Sequence, residues 1–146
     1  MASGPPKKKH TLVLIALSVT FVLAVVATFN SLAGWSAPAS ARRVPNPVPA
    51  TDAAINDGRL NYTEHCKSCH GVNGDGNGDR ASKLSALPTD FTNAGNMERA
   101  TDGELFWKIT HGRRPMPGFQ NKLTDTERWE LVDYIRTFAK KPAPAK

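Results

Sequence analysis

Two cysteines stand in the 146-residue chain, and they stand close together: Cys66-Lys67-Ser68-Cys69, followed at once by His70. Read chemically, C-x-x-C-H is the attachment pattern for a c-type haem. Each Sγ can add to one vinyl group of the porphyrin to give a thioether, and the adjacent imidazole is then held under the iron as its proximal ligand. The spacing is short because both vinyls lie on one side of the macrocycle, so one turn of chain must reach both. Other chemistries fit these residues less well. A thioredoxin-type redox pair belongs near a βαβ pattern, and no convincing strand can be read anywhere in the chain. A structural zinc site closes around four ligands, and only two thiols are present. A plain disulfide suits an exported protein but leaves His70 unexplained.

An element must bring that stretch into place, and residues Asp52 to Cys66 read as a helix with Thr51 or Asp52 as its N-cap. Ile55, Gly58, Arg59 and Tyr62 recur at three- and four-residue steps and give one packing face. Gly58 lowers helix propensity, which a close helix crossing would explain. Gly58, Tyr62, Cys66, Cys69 and His70 resemble the opening of class I cytochromes c, and the resemblance extends over roughly Ala53 to Ala139. In that family a glycine and an aromatic on the first helix pack against the last helix. The resemblance implies an all-α cytochrome c fold, three to five helices around one covalent haem c.

Gly71 to Asp79 is glycine-rich and must be a loop. Asp75, Asn77 and Asp79 imitate the start of an EF-hand loop, but Arg80 stands where the obligatory Gly belongs and Ala86 where the bidentate Glu belongs, so no calcium is expected. Leu84, Leu87 and Phe91 are expected to pack on the haem or close its pocket. In the family a proline carbonyl accepts the free ring N–H of the proximal histidine, and Pro88 is the candidate here; a loop-stiffening proline is the alternative. Thr101-Asp102-Gly103-Glu104 is a capping box opening a helix through Leu105, Phe106, Trp107 and Ile109 that ends near Gly112. Trp107 reads as an ordinary packed side chain, with a place near a propionate as the other reading.

The segment Arg114-Pro115-Met116-Pro117-Gly118 presents a methionine between two prolines, outside any helix. It resembles the Met-Pro loop that supplies the sixth iron ligand in class I cytochromes c, which makes Met116 the distal candidate. A thioether is a soft, uncharged donor that favours ferrous iron and raises the potential. Met97 and His111 are its rivals. Met97 lies in a loop without proline flanks, and His111 ends a helix as a surface or capping residue. His65 is expected to point to solvent, and His10 belongs to the N-terminal flank. Arg113 and Arg114 are read either as solvated or as partners of a propionate or an acidic protein. Thr124-Asp125-Thr126-Glu127 is a second capping box, and Leu131, Tyr134, Ile135 and Phe138 form an i, i+3, i+4, i+7 stripe. This last helix should cross the first, Leu131 and Tyr134 meeting Gly58 and Tyr62.

The net charge of +6 hints at an acidic partner or nucleic acid, but its distribution removes most of the hint. Ala53 to Ala139 carries eleven Lys/Arg against twelve Asp/Glu, and the surplus of positive charge lies at the ends and in a linker. No nucleic acid is therefore expected. After Lys7-Lys8-Lys9-His10 no charged side chain occurs from Thr11 to Ala41, and the apolar heart runs from Leu12 to Phe29. Such a run is long enough to span a bilayer as one helix, with the lysines kept cytoplasmic. The competing reading is a signal peptide cut after Ala39-Ser40-Ala41, although its apolar region is longer than usual. The domain organisation read from these features is a basic flank and transmembrane anchor over 1–35, a Pro-rich extended linker over 36–52, a haem domain over 53–139, and a loose basic tail over 140–146.

Two axial ligands, His70 and Met116, would leave no open position for a substrate. The expected role is accordingly electron transfer rather than enzymatic catalysis. The reading is a single-pass protein of the cytoplasmic membrane with its haem domain on the periplasmic side. It would carry electrons from a quinol-oxidising complex to a terminal oxidase, reductase or photosynthetic reaction centre. The alternative is a fixed haem subunit of a larger respiratory or photosynthetic membrane complex.

Overall fold

A computed structural model describes the backbone of residues 7–32 and 34–140, with side chains from Thr11 to Val25 and from Gly34 to Ala139. In chain order the helices are α1 (Lys7–Leu32), α2 (Ala39–Arg42), α3 (Asp52–His65), α4 (Lys67–His70), α5 (Ala94–Arg99), α6 (Asp102–His111) and α7 (Asp125–Lys140), with a 3₁₀ turn at Ala81–Lys83. Among the described residues there is no strand, only an isolated bridge between Arg113 and Met116.

The chain divides into two compact units, Met1–Ser36 and Ala37–Lys146. The first holds α1, whose side chains from Thr11 to Val25 are exposed. Among the described residues no helix is long and apolar enough to cross a membrane. The expected apolar heart continues to Phe29, so its last side chains lie outside the described residues, as do the flanking lysines and His10. The expected tail over 141–146 lies outside them too.

The second unit is built on the crossing of α3 and α7. The Thr51 Oγ1 accepts the Ala54 N–H at 3.2 Å and starts α3. Thr124 and Glu127 close a full reciprocal box at the start of α7: the Thr124 N–H donates to Glu127 Oε2 at 2.7 Å, and the Glu127 N–H to Thr124 Oγ1 at 3.3 Å. Gly58 permits the crossing, since a Cβ there would collide with the Glu130 carbonyl oxygen and lie 3.0 Å from Tyr134 Cβ. Tyr62 then meets Tyr134 edge-on at 5.3 Å and Phe138 at 5.2 Å. Leu131, Val132, Ile135 and Phe138 are buried with Tyr62, Phe91, Leu105, Ile109, Phe119 and Trp129 in one core.

At the start of α6, Thr101 Oγ1 accepts the Glu104 N–H at 3.2 Å, while the Glu104 carboxylate pairs with Lys108 at 2.7 Å. Arg136 of α7 ties the α5–α6 junction to the core. Its guanidinium donates to Asp102 Oδ1 at 2.8 Å, to the Ala100 carbonyl at 2.6 Å and to the Met97 carbonyl. Met97 is buried, a core residue on α5 rather than a loop methionine.

The stretch expected as a Pro-rich extended linker is seated on the domain over much of its length. Ala37 is buried, and α2 packs on α6 where Gly103 has no side chain. A Cβ on Gly103 would collide with the Ala41 carbonyl oxygen and approach Val44 O to 2.6 Å. Asn46 Nδ2 donates to Asp133 Oδ1 at 2.8 Å and reaches Trp129 O at 3.4 Å, while its Oδ1 accepts the Val48 N–H at 2.9 Å. The prolines stiffen this strap, and one asparagine gives it side-chain hydrogen bonds to α7.

Candidate haem site

Helix α3 ends at Cys66, whose N–H still bonds the Tyr62 carbonyl at 2.9 Å, and α4 begins at the next residue. One short turn therefore carries both thiols and the imidazole. Its last carbonyls need partners, and the glycine-rich loop supplies them. The N–H groups of Arg80, Gly78 and Gly76 donate to the carbonyls of Ser68 (2.8 Å), Cys69 (3.1 Å) and His70 (2.9 Å). Asp75, one of the EF-hand mimics, caps the Asn77 N–H at 3.1 Å. Among the described residues no three His, Cys, Asp or Glu side chains gather as a metal site.

The buried Tyr62 hydroxyl donates to the Gly71 carbonyl at 2.7 Å, fixing the residue that follows the imidazole. Burial pushes this phenol above its ordinary range, so it stays a proton donor. His70 itself is held twice. Its ring stacks on Phe91 at 4.7 Å, and Nδ1 lies 3.3 Å from the Thr89 carbonyl. A carbonyl only accepts, so that contact places the proton on Nδ1 and leaves the Nε2 lone pair for a metal. Burial lowers the His70 pKa, against an opposing contribution from Thr89. The ring is thereby kept neutral, as a ligand must be.

Cys66 and Cys69 are free and half-buried. Burial, and secondarily the neighbouring Cys69, pushes the Cys66 thiol up to about 12. A site so unfavourable to thiolate charge suits an uncharged thioether. Val72 and Leu87 are 73% and 86% exposed, leaving apolar surface in the segments that carry His70 and Thr89. Free thiols one turn apart, a neutral imidazole with one nitrogen engaged and nearby apolar surface fit a covalent haem c.

Met116 is half-buried against the core cluster, with its N–H on the Arg113 carbonyl at 2.9 Å. The loop around it is pinched at two glycines. Gly112 has φ of 63°, a left-handed conformation that glycine adopts without strain. A Cβ at Gly118 would come within 2.6 Å of His111 O and 2.8 Å of Thr110 O. Past this neck, the Phe119 N–H donates to the carbonyls of Ile109 (3.0 Å) and Thr110 (3.1 Å). The Met116 loop thus leaves from and returns to the end of α6.

Two expectations change. The carbonyl on His70 belongs to Thr89, one residue past Pro88; the Pro88 carbonyl faces Gly76, where a Cβ would lie 2.8 Å away. His65 is half-buried, its ring 5.7 Å from Phe119 and Nε2 3.8 Å from Glu64, instead of facing solvent. Phe91 is buried and Leu84 half-buried, while Leu87 is 86% exposed, apolar surface left beside the segment that carries Thr89. His111 turns back on its own helix, with Nδ1 2.9 Å from the Trp107 carbonyl and its ring stacked on Trp107. Arg113 and Arg114 are exposed. Sequence reasoning missed Thr89, Thr110 and Arg128, the last a buried arginine of α7 whose Nη1 donates to Thr110 Oγ1 at 3.0 Å.

Comparison with known proteins places this site in context. Residues 53–135 match the family model described as cytochrome c oxidase, cbb3-type, subunit III. Among solved structures, the chain is 30% identical to the reducing HAO-like protein complex Kustc0457/Kustc0458 of Kuenenia stuttgartiensis, with a TM-score of 0.57 over 66% of this chain and 48% of that one. It therefore spans about half the length of that relative. It is also similar to the KustC0563 c-type cytochrome, at 35% identity and a TM-score of 0.51, covering 56% of this chain and 96% of that one. A mutant of Kustc0563 with one tyrosine replaced by phenylalanine matches at 34% identity and a TM-score of 0.50, over 56% of this chain and 98% of that one.

Proposed function

The chain belongs to the cbb3-type cytochrome c oxidase subunit III family, as a monohaem cytochrome c with covalent haem c, an electron carrier rather than an enzyme, and from that premise we propose that it is tethered to the cytoplasmic membrane with its haem domain outside. Cys66 and Cys69 would hold the haem by thioethers, and His70 and Met116 would ligate its iron. The haem supplies a ferric–ferrous couple. The chain's own residues fix the imidazole, present a thioether on a pinched loop and keep the proximal thiol turn rigid. The observation that carries this reading is the His70 ring, stacked on Phe91 with Nδ1 engaged by Thr89. In this reading it moves electrons from a quinol-oxidising complex to a terminal oxidase, reductase or photosynthetic reaction centre. Tethering rests on the uncharged, largely apolar run after Lys9, much of which α1 carries.

The test is a visible spectrum, ferric and ferrous, of the wild type and Met116→Ala. A c-type ferrous spectrum with a weak far-red ferric band that disappears in the variant is the expected result. A band indifferent to the substitution would move the sixth ligand elsewhere. For the tether, the haem domain should pellet with membranes and resist alkaline extraction; release at high pH would sink it.

A second reading is supported by the family's description as an oxidase subunit and by the seated strap. Here the domain is a fixed subunit of a membrane complex instead of a shuttle. Detergent extraction discriminates, because a stoichiometric complex surviving purification establishes the fixed subunit.

A further inference from the structure

We infer that Arg128 of α7 is a positioning residue for Met116, acting through Thr110 as a latch on the neck of the methionine loop. The inference rests on the reading of Met116 as distal ligand. Arg128 is 5% exposed, an unusual place for a guanidinium on a helix with a free polar face. Two of its three nitrogens are engaged locally. Nε donates to the Thr124 carbonyl at 3.3 Å, Nη2 pairs with Asp125, and the cation lies 5.0 Å over the Phe106 ring. The remaining arm, Nη1, reaches Thr110 Oγ1, a bond between buried partners on different helices.

Thr110 is where the methionine loop is anchored. Its Oγ1 donates back to the Phe106 carbonyl at 2.8 Å, so the hydroxyl is oriented to accept from Arg128. Its carbonyl accepts from Phe119 at 3.1 Å and Gln120 at 3.3 Å, the first residues after the loop. Gly118 abuts the same carbonyl. Arg128 therefore holds the end of α6 and the return of the loop against α7, the helix that crosses α3 at Gly58. One guanidinium joins the piece that carries the thioether to the scaffold of the thiols and the imidazole. Loss of the latch should free the loop before it unfolds the domain.

Arg136 provides an internal comparison. It lies on the same helix and ties down Met97, Ala100 and Asp102, which belong to the far end of α6 and to α5. A purely structural role for Arg128 predicts that the two arginines behave alike. A positioning role predicts that only Arg128 governs methionine release.

The experiment uses the full-length haem protein as wild type, Arg128→Met, Thr110→Val, Arg136→Met and Met116→Ala. Three signals are followed through a guanidinium titration: the far-red ferric band, far-ultraviolet helicity, and the rate of ferrous CO binding. Thr110→Val preserves shape while removing only the hydroxyl, so it covers the case in which Arg128→Met fails to fold. In Thr110→Val and Arg128→Met the band should vanish well before helicity does. CO should bind about tenfold faster without denaturant, the scale of one lost buried charge-assisted hydrogen bond. In Arg136→Met the band and helicity should fall together, with CO binding as in the wild type. If the band and helicity fall together in the Thr110 variant, with CO binding unchanged, Arg128 is structural and the inference is overturned. A far-red band that survives Met116→Ala overturns the ligand reading and this inference with it, a result distinct from the first.

Discussion

His70 is held from one returning segment by a carbonyl and a ring, and the residue after it is held from α3 by the Tyr62 hydroxyl. That hydroxyl is buried and its acceptor, the Gly71 carbonyl, sits in the turn that the imidazole shares. Tyr62→Phe keeps the ring packing against Tyr134 and Phe138 and removes only the oxygen. The unpaired carbonyl should cost about 1–3 kcal/mol, read as an earlier denaturation midpoint with an unchanged ferrous spectrum. A midpoint equal to wild type would mean that solvent reaches Gly71. At this scale the candidate attachment residues stand out in the sequence because covalent chemistry dictates their spacing. Thr89 was missed by one position, since the direction of a carbonyl depends on backbone torsions that residue types do not encode. Arg128 and Thr110 were invisible for another reason. Polar residues on amphipathic helices read as solvent-facing, and only the fold shows that two of them, 18 residues apart, meet in the interior.

At the level of elements, the long helices follow from local rules and the short ones do not. Thr51, Thr101 and Thr124 each cap the helix that begins after them, and the stripe on α7 is the face that packs on α3. Helices α2 and α5 have four and six residues, too few to show a period, and Met97 consequently looked like a loop residue. The capping box of α7 also carries a pH dependence. Hydrogen bonds from the Thr124 N–H, and then from its hydroxyl, hold the Glu127 carboxyl below its ordinary range. A depressed folded pKa contributes stability that is complete above the unfolded value, near ~4.3 for glutamate, and that fades as pH falls through the lower folded one. Thr124→Ala should therefore destabilise by about 1 kcal/mol at neutral pH, and the gap to wild type should narrow in acid. It should not close, because the bond from the Glu127 N–H to Thr124 Oγ1 needs no charge. The Thr124 N–H bond to the carboxylate survives in the variant, so a gap constant from neutral to strongly acidic pH would show that the hydroxyl's bond to the carboxylate contributes nothing.

For the whole molecule the decisive segment is the strap over 37–49, where four prolines in the surrounding stretch suggested an extended spacer. Proline fixes φ and removes a donor, but it does not prevent docking, and here the docking is done by small and amide side chains between the prolines. Ala37 is buried, the carbonyls of Ala41 and Val44 lie against Gly103, and Asn46 bonds Asp133. The strap lies outside the matched family region, which begins at residue 53, yet it covers α6 and α7. If it belongs to the domain, Asn46→Ala should cost about 1–3 kcal/mol through the amide bonds to Asp133 and Val48, lowering Tm by about 4 °C for each kcal/mol. Gly103→Ala should act more locally, since its Cβ collides with backbone that can lift away. Arg42 and Arg43 are exposed within the strap and report on that lifting. Trypsin can cut there only when the segment opens, so its rate follows the open population. In Gly103→Ala that rate should rise about tenfold for each 1.4 kcal/mol of lost seating, while the rate of cutting at Lys122 should hardly change. Equal cleavage of wild type and variant at Arg42 and Arg43 would return residues 37–49 to the connection between the units. Faster cleavage confined to those two sites would establish that the domain begins at Ala37, with the strap as part of its packing.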